Sequence, residues 1–347
     1  MIKVPSAYTV TGMNETMRAV AFRKSLPISD PASLEDVELP VPTPGPRDLL
    51  VRVEAVSVNP VDTKVRIGND PGGQPKVLGY DAAGVVTAVG SDVTLFEAGD
   101  EVYYAGSITR PGTNAQFHVV DERIVGHKPR TLGFAEAAAL PLTTITAWET
   151  LFDRFHLGAD STGTLLVLAA AGGVGSMALQ LARALTGLTL VGTASRPESR
   201  QWALDLGAHH VVDHHDLVAS VRAAVPDGVN YVLSPNTAGM IEAFAEVLRP
   251  GGEITAIDEP EGLELVPLKA KSISFHWELM FTRSLYETDD MIAQHDLLER
   301  VAELVDAGTV RTTLTTELGP INAATLRQAH ELIESGRTIG KIVATGF

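Results

Sequence analysis

Hydrophobic and polar positions divide the chain into two regions with different spacing. From Met17 to about Val125, short β-rich runs (MRAVAFRK, DLLVRVEAVSVN, AAGVVTAVG, DEVYYAG and AQFHVVDERIV) are broken by Gly and Pro. Alternating or clustered β-branched residues between turn formers predict many short strands, and hence a small barrel or sandwich. The segment ELPVPTPGPRDLL carries four prolines; it is expected to be extended and to lie outside any central strand. Beyond Leu140-Pro141 the spacing changes. LTTITAWETLF predicts a helix that brings Thr146, Trp148 and Leu151 near one another, and strands then alternate with helices as far as SISFHW. Six strands with intervening helices predict a parallel, doubly wound sheet with right-handed crossovers. Arg249-Pro250-Gly251-Gly252 is expected to stop a helix sharply before the next strand.

The stretch Thr164 to Leu185, TLLVLAAAGGVGSMALQLARAL, opens this second region. It predicts a buried strand over Thr164–Leu168, a turn of tiny residues over Ala169–Gly175, and a helix whose apolar face is Val174, Ala178, Leu181, Ala182 and Leu185. The turn reads Ala170-x-Gly172-x-x-Gly175, a dinucleotide fingerprint with alanine in place of its first glycine. Gly172, Gly173, Val174 and Gly175 would present bare N–H groups and a helix N-terminus to a pyrophosphate. Glycine-rich turns also serve packing, and a triphosphate P-loop is a poor competitor because no Lys-Ser or Lys-Thr pair follows Gly175.

Twenty residues past Gly175, where an acid would hold the adenosine ribose of NAD, the chain has Thr193-Ala194-Ser195-Arg196. A missing carboxylate removes repulsion of a 2'-phosphate, and Arg196 and Arg200 can pair with one, which points to NADPH. Ser195 either joins them or, as the first residue of Ser195-x-x-Glu198, only caps its helix. HHVVDHH, written as a strand, sets His209, Asp213 and His215 on one face; a metal is one reading, and His214 beside the adenine is another.

The tail returns to a different pattern. Two amphipathic helices, LLERVAELVDAG and NAATLRQAHELIESG, precede the short strand Gly340-Lys341-Ile342-Val343, which cannot stand alone and is expected to complete the first region. Lys341 is either a phosphate contact or a solvated surface lysine.

Composition narrows the partners. The net charge of −16 argues against nucleic acid or an anionic membrane, and the absence of cysteine removes disulfides and thiolate metal ligands. No stretch reaches transmembrane length free of charges, so a cytoplasmic protein is expected. Residues 1–16 are patternless and read as a loose extension. The remainder divides into 17–143 with 286–347, and 144–285.

Asn59-Pro-Val-Asp, Gly79-x-Asp81-x-x-Gly84, Gly99-Asp100-x-Val102, the 169–175 turn and the terminal Gly340-Lys-Ile-Val resemble, in order, the medium-chain dehydrogenase/reductase superfamily, in its quinone oxidoreductase (zeta-crystallin-like) branch. The resemblance implies an α/β chain: a GroES-like β-rich catalytic domain closed by the tail, with a Rossmann NADPH-binding domain inserted. Zinc-using relatives carry cysteine at the place of Asn59, histidine at that of Tyr80, and cysteine at about that of Leu142. None of the three is a good zinc ligand here, so no zinc is expected. Lys64 stands where quinone oxidoreductases often carry tyrosine.

Without a Lewis acid, an electrophile that spreads charge over its own π-system, a quinone or enone, is the expected hydride acceptor. Asn59, Lys64 and Tyr80 are expected in the catalytic cleft, with Tyr80 or Lys64 donating a proton or hydrogen bond. Thr146 is expected beside the nicotinamide, Asn236 at the carboxyl-end crevice, and Trp277 and Met280 as substrate walls or core. SISFHW at the sheet edge suggests a homodimer. A zinc-type alcohol dehydrogenase and a non-catalytic NADPH sensor are the alternative readings.

Overall fold

The computed structural model describes residues 16–347. The extension expected over 1–16 lies outside the described residues except at Thr16, where the first strand begins.

The first region supplies β1 (Thr16–Phe22), β2 (Glu35–Pro40), β3 (Asp48–Val58), α1 (Pro60–Gly68), β4 (Lys76–Val77), β5 (Ala82–Val89), β6 (Glu101–Tyr104), β7 (Phe117–Asp121) and β8 (Val125–His127). Strand β3 is buried along most of its length because it pairs with β5, with β7 and with a strand from the tail. Strand β2 alternates half-buried and exposed residues, and it ends in Pro40 at a sheet edge, where a missing N–H breaks no inner ladder.

Helices α2 (Phe134–Ala138) and α3 (Pro141–Trp148) lead into the second region. The helix expected to run through Phe152 changes character at Trp148: residues Glu149–Arg154 form a π-helical turn. The second region then runs β9 (Thr164–Val167), α4 (Gly173–Leu185), β10 (Thr189–Thr193), α5 (Pro197–Asp205), β11 (His210–Val212), α6 (Leu217–Ala224), β12 (Val229–Ser234), α7 (Ile241–Val247), β13 (Leu248–Ala256) and β14 (Ser274–Trp277). Its six strands lie in the order β11-β10-β9-β12-β13-β14, every pair parallel. The order reverses at β9, which places a ligand crevice outside the carboxyl ends of β9 and its neighbours.

Three local expectations change. Strand β11 covers only three residues of HHVVDHH, leaving Asp213, His214 and His215 exposed beyond its end. Arg249–Gly252 does not stop a helix before the strand; it is an excursion within β13, where pairing passes from Val229–Leu248 to Tyr231–Glu253 and Gly251 takes a φ of +75°. Helix α4 is buried at every position from Gly175 to Ala182, well beyond a single stripe, because α3 packs on it opposite the sheet. Its polar residues are matched accordingly. Ser176 Oγ accepts from Trp202 Nε1 at 2.8 Å, and Gln180 bonds Arg311 through both ends of its amide.

The tail adds α8 (Thr282–Tyr286), α9 (Ala293–Asp306), β15 (Leu314–Leu318), α10 (Ala323–Glu334) and β16 (Lys341–Thr345). Asn322 Oδ1 caps α10 by accepting from Thr325 N at 2.9 Å. Strand β16 inserts between β15 and β3, so the end of the chain completes the first region's sheet. The period of two along β9 divides the core: Leu165 and Val167 face a cluster shared with the first region, while Leu166 and Leu168 face a second cluster under α6 and α7. The chain thus combines a GroES-like β domain with a Rossmann-like parallel sheet. Among the described residues no helix is long and apolar enough to cross a membrane.

Candidate active site

The turn between β9 and α4 is built for close backbone approach. Ala169 takes a φ of +48° and is pinned by its N–H to Thr193 Oγ1 at 3.0 Å, while Ala170 N bonds Thr193 O at 3.1 Å. A β-carbon on Gly175 would stand 2.6 Å from Ala169 O, so only glycine fits there. On Gly173 it would meet Thr143 Cγ2 at 2.7 Å and Lys341 Cδ at 2.9 Å. Gly172 is the N-cap, and the N–H groups of Gly173, Val174 and Gly175 begin the helix with no intrahelical acceptor. This cradle fits a dinucleotide pyrophosphate.

At the end of β10, Ser195 is exposed and does not cap α5. Pro197 occupies the first turn and moves the cap to Arg196, which places Glu198 too early for a capping box. Arg196 Nη2 donates to Arg337 O at 2.7 Å and Nη1 lies 3.4 Å from Glu198. Arg200 is a brace: its guanidinium donates to Ala194 O at 3.0 Å and Val211 O at 2.6 Å, closing the ends of β10 and β11. Asn236 is exposed just past the carboxyl end of β12. His214 is exposed beside Asp213, and its ring lies 4.1 Å from that of His215, tilted by 32°. Asp213, His214 and His215 bring three ligand-type atoms together, whereas His209, which the strand reading put on their face, is held by Leu190 N and Arg183.

Beneath the turn lies a buried polar group. Asn59, Asp62, Asp81 and Lys341 are all less than 4% exposed. Asn59 Nδ2 donates to Asp81 Oδ2 at 2.8 Å, and Lys341 Nζ donates to Asn59 Oδ1, to Asp81 Oδ2 at 3.0 Å and to Val58 O at 3.3 Å. Asp81 Oδ1 accepts from Leu142 N at 2.7 Å, tying α3 to the same group. Asp62 accepts from Asn59 N at 2.8 Å and Gly79 N at 2.9 Å. Burial pushes Asp62 up to about 7 and raises Asp81, against which the ammonium of Lys341 acts. Tyr80 meets Phe281 edge-on at 5.3 Å, and its hydroxyl is held well above the usual phenol range, by burial first and then by the charge of Asp62.

Other expected residues are spread around this centre. Thr146 is buried and its Oγ1 donates to Leu142 O at 2.8 Å; it is Thr143, one turn earlier, whose methyl abuts Gly173. Lys64 lies outside the buried group, half-exposed, with its ammonium 3.4 Å from Glu259 on the loop after β13. Trp277 is 52% exposed at the sheet edge, whereas Met280 is buried and its carbonyl accepts from Gln294 Nε2 at 2.6 Å. The expectation that Lys341 reaches phosphate or lies in solvent is corrected: its ammonium is buried on Asn59 and Asp81. Phe281 and Thr143 were not foreseen, since as isolated letters they read as core and helix. The carboxylate of Asp81, next to Tyr80 in the Gly79-x-Asp81 motif, was the one available signal.

Two family descriptions match: an alcohol dehydrogenase GroES-like domain over residues 45–149 and a zinc-binding dehydrogenase over residues 206–343. A zinc-type alcohol dehydrogenase-like protein of Staphylococcus aureus is 41% identical over 94% of this chain and 99% of its own. A Rhizobium etli protein named after zinc-dependent alcohol dehydrogenases superposes with a TM-score of 0.93 at 53% identity, over 96% of this chain and 99% of its own. The quinone oxidoreductase of Escherichia coli, solved in complex with NADPH, superposes with a TM-score of 0.80 at 26% identity, over 94% of this chain and 99% of its own. With its GroES-like β domain, parallel sheet and fingerprint turn, this chain belongs to the medium-chain dehydrogenase/reductase superfamily and is an oxidoreductase of that type.

Proposed function

We propose that this protein is a zinc-independent, NADPH-dependent reductase that delivers hydride to a quinone or an α,β-unsaturated carbonyl. The observation that carries this reading is the polar group under the fingerprint turn. Asn59 Oδ1 faces the Lys341 ammonium, both Asp81 oxygens are taken by N–H donors, and Leu142 contributes only its backbone N–H. These residues do not fit a zinc ion, which needs free sulfur, imidazole or carboxylate ligands. A conjugated acceptor needs no such ion to spread the charge it receives.

NADPH, when bound, supplies the hydride. Gly172, Gly173, Val174 and Gly175 hold its pyrophosphate, and Ser195 with Arg196 faces the 2'-phosphate, where the exposed Glu198, 3.4 Å from Arg196, is the acid a phosphate would displace. Arg200 supports that corner from behind, and His214 and Asn236 stand along the same carboxyl-end crevice. Asn59, with its amide N–H groups taken by Asp81 and Ser57 O, keeps one lone pair of Oδ1 that accepts from a hydroxyl of the nicotinamide ribose. Tyr80, kept protonated, lines the acceptor side with Phe281 and the Met280 backbone, and its hydroxyl is the hydrogen-bond donor. Lys64 holds the cleft margin through Glu259. Exposed Trp277 on edge strand β14 suits pairing with a second copy in a homodimer.

The test is NADPH and NADH oxidation against a panel of quinones, enones and aldehydes, with metal content measured on the same sample. Turnover of quinones or enones with NADPH and no stoichiometric zinc is expected. Stoichiometric zinc with alcohol oxidation would overturn the reading in favour of the alcohol dehydrogenase that relatives' names suggest; tight NADPH binding without turnover would mark a sensor.

A further inference from the structure

We propose that Lys341 is a positioning residue: its ammonium is the fixed cation of the cleft floor, and its stem couples the cofactor turn to Asn59 and Asp81. An ammonium has three N–H donors. Here they have three acceptors, Asn59 Oδ1, Asp81 Oδ2 and Val58 O, so none remains for a phosphate.

The path of the side chain explains the coupling. Gly340 N donates to Ala171 O at 2.8 Å, and Gly340 forms a parallel bridge with Gly172, so the residue before Lys341 is strapped to the fingerprint turn. Lys341 N is fixed to Thr313 O at 2.8 Å, and the methylenes then run beneath Gly173 in the space a β-carbon would need. Past this point β16 pairs with β3, Ile342 opposite Val58, which delivers the ammonium to Asn59. The turn and the cleft floor therefore share one side chain, with its charge neutralised inside the protein by Asp81.

Asn59 is in turn held in one orientation. Its oxygen faces the ammonium and its Nδ2 bonds Asp81 and Ser57 O, the latter at 3.3 Å, so a flipped amide would set like groups together. Removing the ammonium frees that amide and leaves Asp81 buried without a counter-charge.

Three variants test this: K341M, D81N and K341M/D81N, each assayed for thermal stability, NADPH affinity by fluorescence titration at two salt concentrations, and steady-state rates. The kinetic arm rests on the reductase reading; the other two do not. K341M is expected to be less stable than K341M/D81N, because the double variant carries no unpaired buried charge. In whichever variants fold, the NADPH dissociation constant is expected within about threefold of wild type with an unchanged salt dependence. kcat is expected to fall at least tenfold in K341M and K341M/D81N alike. A tenfold weaker, less salt-dependent NADPH complex would make Lys341 a phosphate contact and overturn the proposal. So would a double variant no more stable than K341M, or one with wild-type kcat. A wild type that binds NADPH but turns over no acceptor defeats the reductase reading and leaves the stability and affinity outcomes to judge Lys341.

Discussion

Ala170 in the fingerprint turn and Gly192 in β10 face each other so closely that a β-carbon on Gly192 would lie 2.7 Å from the methyl of Ala170. The fingerprint's missing first glycine is thus compensated across the sheet: the methyl gained at 170 occupies space left empty at 192. Gly192→Ala is expected to destabilise the protein by about 1–3 kcal/mol through overpacking. Adding Ala170→Gly should recover most of that loss, and urea unfolding of the wild type, the single variant and the double variant measures the compensation.

The two arginines after β10 should separate by phenotype. Arg196 is tied to one carbonyl and to an exposed acid, whereas Arg200 braces two strand ends. Arg196→Ala should weaken NADPH by roughly tenfold or more, as loss of a charge-assisted phosphate contact implies, and leave NADH and the melting temperature nearly unchanged. Arg200→Ala should lower stability by about 1–3 kcal/mol, since it removes the donor from two part-buried carbonyls. Titrations with both cofactors, paired with melts, check this.

Two buried groups give opposite pH slopes. Asp62, pushed up to about 7, binds a proton more readily folded than unfolded, so its contribution is full below about 4 and is lost as pH rises through 7. The stability of wild type relative to Asp62→Asn should therefore fall between pH 4 and 7. His330 is lowered to about 3 by burial and by the nearby charge of Arg66, and neither ring nitrogen has a partner among the described residues. Its contribution is present above 6.5 and lost as pH falls. His330→Leu should be the more stable protein at pH 5, by about 2 kcal/mol. Melts across pH 4–8 decide both signs.

A second buried acid should tolerate neutralisation where its neighbours do not. Glu278 is pushed well above the usual carboxylate range by burial and by Glu149, with Arg154 Nε at 2.8 Å acting the other way, so Glu278→Gln, which keeps an acceptor for Arg154, should cost less than about 1 kcal/mol at pH 7. Arg283 bonds Glu149 at 2.6 Å and Asp153 at 2.9 Å, and Arg283→Met leaves Glu149 buried without that partner; a loss of about 3 kcal/mol is expected in urea unfolding.

The features legible in advance are those written in local backbone chemistry. Alternation in DLLVRVEAVSVN gave β3, and the turn of small residues before MALQLARAL gave the cofactor cradle. Local rules misled where a neighbouring residue or a packed partner took over. Pro197 displaced the cap that was one of two readings of Ser195, α3 covered the outer face of α4, and HHVVDHH lost its strand beyond Val212.

By itself the sequence determined the two regions, the parallel sheet and the position of the dinucleotide turn, because periodicity and steric permission at glycine act within a few residues of chain. Only the tertiary structure decided what lies under that turn. Lys341 is 282 residues from Asn59 and 260 from Asp81, and no periodicity links them. The insertion of β16 between β15 and β3 sets the ammonium there, 3.0 Å from the buried carboxylate of Asp81, whose charge calls for a partner away from water.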